Sequence, residues 1–179
     1  MWGVTSPQLN YEDEMAIEER FMNLFRGYEL AHGQYRVQTT EADGKKSGRA
    51  LTISEPATIE NFKEHLSGGE YILGVIMLKK NNSCNFGVID IDIRGSGKLN
   101  ESLESLEKKI RNTPLILCRS KSGGAHLYLF ADPEIAAVDM VNKLNEYAAH
   151  LGYGGAEIFP KQISRANDRD RGNWINLFT

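Results

Sequence analysis

The chain has 179 residues, 41% of them hydrophobic and 25% charged, with 21 basic against 24 acidic side chains and a net charge of −3. This composition excludes disorder, collagen-like repeats and a disulfide-stapled mini-protein, and it suffices for one good core or two small units sharing one. It also argues against gripping duplex nucleic acid by bulk charge, so any such contact has to come from a local groove.

In chain order, the spacing of Met15, Phe21, Met22, Phe25 and Tyr28 predicts a first helix over residues 10–31, capped by Asn10 and followed by Gly33. A short strand over 35–39 follows, then a polar loop with Lys45, Lys46, Gly48 and Arg49. Thr58 is placed to cap a second helix that ends near Leu66 and is closed by Gly68 and Gly69. Residues 71–78 are the longest apolar run, too short for a membrane span and read as a buried strand. The polar stretch 79–85 is the expected internal boundary, giving an N-terminal α/β unit over 1–80 and a second unit over 81–179.

The second half reads as strand 86–93, helix 99–110, strand 115–119, a glycine turn at Gly123 and Gly124, and strand 125–130. Helix 133–150, with Pro133 at its start and Gly152 after its end, leads to strand 156–159. That β-α-β-β-α-β order predicts a ferredoxin-like, RRM-like split βαβ unit whose first strand is central, with the third and fourth as neighbours. The expected fold class is therefore α+β. The N-terminus carries no signal-peptide pattern, and Cys84 and Cys118 form no CxxC pair. A cytoplasmic, reduced setting without structural zinc is the expectation.

Alternation along Gly87–Arg94 places Ile89, Ile91 and Ile93 on one face and Val88, Asp90 and Asp92 on the other. The two aspartates stand about 7 Å apart at Cα on an open face. Their mutual repulsion is relieved most simply by a divalent cation, and hard oxygens suit magnesium or manganese. The same parity turns His126, Tyr128 and Phe130 toward the aspartates, and turns Glu157 outward on the last strand. Three carboxylates beside a histidine suit a two-metal centre for phosphoryl or nucleotidyl transfer. The turn Arg119-Ser120-Lys121-Ser122-Gly123-Gly124-Ala125-His126 supplies cations, hydroxyls and glycine backbone for a triphosphate. It is not a Walker A loop.

Ile89-Asp90-Ile91-Asp92, the Ser120–His126 turn, Glu157 in AEIFPKQ and the closing GNWINLF together resemble the archaeo-eukaryotic primase superfamily, in its primase-polymerase branch from mobile elements and defence systems. The resemblance covers most of the chain. It implies an active site in the cleft between the two units, and a DNA primase-polymerase that copies single-stranded DNA from NTPs or dNTPs. Asp90, Asp92 and Glu157 would hold two divalent ions, magnesium or manganese. Arg119, Lys121, Ser122, Gly123, Gly124, His126 and Lys161 would contact the nucleotide. Gln162, the Lys45–Arg49 loop, Arg165, Arg169 and Arg171 would reach nucleotide or template. It further implies a catalytic core from a longer protein with downstream domains, working with a helicase or defence partner, for example in a CRISPR-associated system. Two rival readings use the same residues. One is a non-enzymatic RRM-like single-strand binder stacking bases on Tyr128 and Phe130; the other is a metal-dependent nuclease.

Overall fold

A computed structural model describes residues 15–40, 46–91, 103–121, 123–167 and 169–178, and for Lys46 the backbone only. Asp92, Ser122, Lys45 and Asp168 therefore lie outside the described residues. The described chain is mixed α+β, with four helices and two antiparallel four-stranded sheets. Helix α1 (Ile17–Leu24) is followed by strands β1 (His32–Thr40) and β2 (Lys46–Ile53), helix α2 (Ile59–Leu66) and strand β3 (Ile72–Val75). Then come β4 (Ser83–Ile91), α3 (Leu103–Ile110), β5 (Ile116–Arg119), β6 (Ala125–Ala136), α4 (Ala137–Leu151), β7 (Glu157–Phe159) and β8 (Ile175–Asn176).

Local chemistry explains several of these elements. The Thr58 side chain and Asn61 close a reciprocal capping box at the start of α2, with Glu60 in its first turn and Lys63 and His65 in its last. On α4, Ala137, Met140, Leu144, Ala148 and Leu151 form one buried stripe, and Gly152 ends the helix at φ 86°. Helix α1 stops at Leu24, well before residue 31, because Gly27 lies hard against Ile76 and the Tyr28 N–H donates to the Ile76 carbonyl at 2.7 Å.

Three expectations are corrected. The polar loop is instead strand β2, paired antiparallel with β1 from His32↔Ile53 to Thr40↔Lys46. The helix expected from Pro133 begins at Ala137. Residues 125–136 continue as β6 because Ile135 and Ala136 pair with Cys84 and Ser83 beyond a bulge. Finally, the face that carries Asp90 is not open along its length. Phe86, Val88 and Tyr128 on that face are fully buried, and Phe25 of the first half meets the Phe86 and Tyr128 rings at 5.2 and 5.5 Å.

The first sheet has the order β2-β1-β3-β8 and the second β5-β6-β4-β7. In the second, the strand bearing Asp90 is central, with β6 and β7 beside it, which is the adjacency the site requires. Strand β8, from the chain's end, pairs with β3 in the first sheet. The main apolar core is shared: Phe25, Phe62, Leu73 and Val75 pack in the same cluster as Phe86, Ile89, Leu127, Tyr128 and Leu144. His65 of α2 joins these parts. It accepts the Leu73 N–H at Nδ1 and donates from Nε2 to the Phe178 carbonyl at 3.0 Å.

Candidate active site

Strand register brings the sequence-read residues together. Asp90 on β4 is the Cα partner of His126 on β6 and of Glu157 on β7, so the three form one row across adjacent strands. His126 Nε2 lies 3.5 Å from Asp90 Oδ1. Asp90 is one-third exposed and Glu157 more than half, whereas His126 is 4% exposed. The row is thus a buried imidazole beside two accessible carboxylates.

Burial pushes the His126 pKa down to about 4, which keeps the ring neutral. A carboxylate only accepts hydrogen bonds, so the proton belongs on Nε2, facing Asp90. Nδ1 is then an acceptor, and the Tyr128 hydroxyl stands 3.3 Å from it. Burial raises the Tyr128 pKa as well, so this hydroxyl remains protonated and able to donate. Tyr128 is therefore a support for His126 inside an aromatic cluster. Its complete burial removes it from the base-stacking pair expected under the binding-module reading, of which Phe130 is only partly buried.

The turn between β5 and β6 sits at the end of this row. Ser120 N–H donates to the Gly124 carbonyl and Gly123 N–H to the Ser120 carbonyl, both at 3.0 Å, and Gly123 adopts φ 84°, a conformation glycine reaches without strain. The Gly123 N–H is thus already engaged within the turn. Arg119 is exposed, and Lys121 Nζ lies 3.2 Å from the centroid of the Tyr35 ring on β1. This contact links the turn to the first sheet, and nothing in the sequence signalled it. That residues 126 and 128 share one strand face was legible in the sequence; that Tyr128 is buried there was not.

On the other flank, Lys161 Nζ pairs with Glu157 Oε2 at 3.1 Å and lies over the Phe159 ring. Gln162 donates to Asp170 Oδ2 at 3.1 Å, while its own carbonyl oxygen is buried and unpartnered. Arg165 is engaged within the fold. Its guanidinium donates to the carbonyls of Leu78, Lys79 and Asp170 and stacks on Tyr28. Arg169 is exposed and Arg171 half-buried.

Among the described residues, no group of three or more His, Cys, Asp or Glu side chains is arranged to hold a metal ion. Asp90 and Glu157 are the hard donors on the row, and the third expected ligand, Asp92, lies outside the described residues. Cys84 and Cys118 are free, with burial raising their thiols to about 12 and about 11, so neither is a ready nucleophile. No helix among the described residues is long and apolar enough to cross a membrane.

A search of curated proteins finds no match. A family model described as the archaeo-eukaryotic primase domain of the TOTE conflict system matches residues 19–177, which span both sheets and every residue of the row. The chain belongs to this archaeo-eukaryotic primase family of conflict systems, which marks it as a primase-like nucleotidyltransferase.

Proposed function

We propose that the chain is a DNA primase-polymerase, a template-directed nucleotidyltransferase that synthesises or extends primers on single-stranded DNA from NTPs or dNTPs. The observation that carries this reading is the row Asp90–His126–Glu157, met at one end by the cationic turn. We read the second sheet with α3 and α4 as the RRM-like unit, and the Tyr35–Lys121 contact as one wall of a nucleotide cleft.

Asp90 and Glu157, together with Asp92, would hold two divalent ions, magnesium or manganese; accessible carboxylates are the donors such hard cations take. When bound, ions of this kind acidify an attacking hydroxyl and neutralise departing pyrophosphate. Glu157 is now balanced by Lys161, so this ion pair competes with cation binding. The chain's own groups do the remaining work. Arg119, Lys121 and the turn backbone, with Ser122, hold the triphosphate. His126, held uncharged, directs its Nε2–H toward Asp90, and a phosphate oxygen of the bound nucleotide would take that donor over from the carboxylate. Lys161 supplies a further cation at the opposite edge.

Extension of a labelled primer on a single-stranded template tests the reading. Asp90→Ala is expected to lower incorporation by at least about 100-fold with an unchanged melting temperature, because it removes a donor whose charge has no substitute. Near-normal incorporation by folded Asp90→Ala would refute nucleotidyl transfer at this row. Strands that shorten when nucleotides are supplied would instead favour the nuclease.

A further inference from the structure

The β1–β2 hairpin runs beyond its sheet. Strand β3 pairs with β1 only at Gly33, Gln34 and Tyr35, so residues 36–40 and 46–49 form a two-stranded ribbon with no further strand among the described residues. Residues 36–40 are exposed. Such a ribbon is marginal in water without something to lie against.

Its register adds an unfavourable pair: Arg36 and Arg49 are direct cross-strand partners, and both are exposed. Like charges directly opposite destabilise a strand pair. Arg36 has one weak contact, from Nη2 to the Gln34 side-chain oxygen at 3.5 Å, and no described carboxylate pairs with either arginine. The strands themselves carry Arg36, Lys46 and Arg49 and no acidic residue. Counting Glu41 and Asp43 between them, segment 32–53 is still net positive, in a chain of net charge −3. A cationic pair with no counter-charge among the described residues is relieved by a polyanion.

We propose that this ribbon is a backbone-binding surface for single-stranded nucleic acid, with Arg36 and Arg49 each meeting a phosphate. The inference rests on the nucleic-acid reading above and adds the element that holds the strand. The ribbon springs from Tyr35, whose ring contacts Lys121 of the nucleotide turn. Arg36 and Arg49 stand on the face opposite Tyr35, because side chains alternate along a strand. The polyanion therefore lies on the ribbon face turned away from the nucleotide turn and does not compete with it.

The test measures fluorescence anisotropy of a labelled single-stranded oligothymidylate across a salt series, with chelator and without nucleotide. For Arg36→Thr/Arg49→Thr, the slope of log affinity against log salt is expected to fall by about 1.4, since each single-strand phosphate contact contributes about 0.7. The same variant is expected to melt at the wild-type temperature or roughly 1–3 °C higher, because a repulsive cross-strand pair has been removed. Arg36→Lys/Arg49→Lys should keep the wild-type slope. An unchanged slope in the threonine variant, or a lower melting temperature, overturns the proposal. Binding is read without catalysis, so failure here is separate from a failure of the Asp90→Ala test.

Discussion

At the scale of single residues, the site works by contrast in solvation. His126 is buried and neutral while Asp90, one strand away, and Glu157, on the strand beyond it, stay wet. The buried ring costs stability in acid. In the unfolded chain it protonates below its ordinary 6.5, but in the fold only near 4, so the unfolded state binds more protons between these values. Stability is full above about 6.5 and falls as pH drops toward 4, by at most about 3 kcal/mol from this ring. His65, also lowered by burial, acts with the same sign. Glu134 is held down to about 2, chiefly by its hydrogen bond from Lys79, so it contributes only below its ordinary 4.5 and leaves the upper interval to the histidines. Thermal melts should therefore show a lower transition temperature at pH 5 than at pH 7, with a smaller drop for His126→Asn. Equal drops in the two proteins would show that His126 is not held neutral. The positions of Asp90, His126 and Glu157 were readable from alternation because parity is a property of one strand. The partner of the histidine on its buried side depends on what covers the sheet.

At the scale of elements, the clearest local device is the start of α2. Thr58 is joined to Asn61 by hydrogen bonds of 2.7 Å at the backbone N–H and 3.1 Å at the hydroxyl. Thr58→Ala is expected to cost about 1 kcal/mol and lower the melting temperature by about 2–4 °C. A change below measurement error would mean that the cap is held by packing alone. This helix was legible because capping involves residues three apart. Strand β2 was not, although Arg49-Ala50-Leu51-Thr52-Ile53 alternates, because lysines and Gly48 read as a loop until β1 is present to accept their hydrogen bonds. Pro133 misled for a related reason. A proline before an amphipathic stretch suits a helix start, but the chain is committed to β4 for three more residues.

At the scale of the whole molecule, the shared apolar core joins the two sheets, and Arg165 ties the segment after β7 to the segment after β3. The Arg165 fork closes on carbonyls of Leu78 and Lys79 at one end of the first half and Asp170 within its own loop, with Tyr28 beneath it. Three acceptors at fixed angles match a planar guanidinium and not a single ammonium. Arg165→Ala and Arg165→Lys are both expected to lose about 2–3 kcal/mol in urea denaturation. Full stability in the lysine variant would reduce the contact to simple charge. Phe25, Tyr128 and Phe178 meet within 5.5–5.8 Å, so α1, the second sheet and the end of the chain share one aromatic contact.

The amino-acid order alone determined the strand carrying Asp90, the parity of His126 and Glu157, the cap of α2 and the mixed α+β character, since each follows from rules spanning a few residues. Only the tertiary structure decided that Tyr128 is a buried support, that Lys121 rests on Tyr35, that Arg165 is occupied and that β8 returns to the first sheet. Those facts depend on surfaces brought together across dozens of residues, where apolar burial and hydrogen-bond satisfaction select among pairings that local patterns leave equivalent.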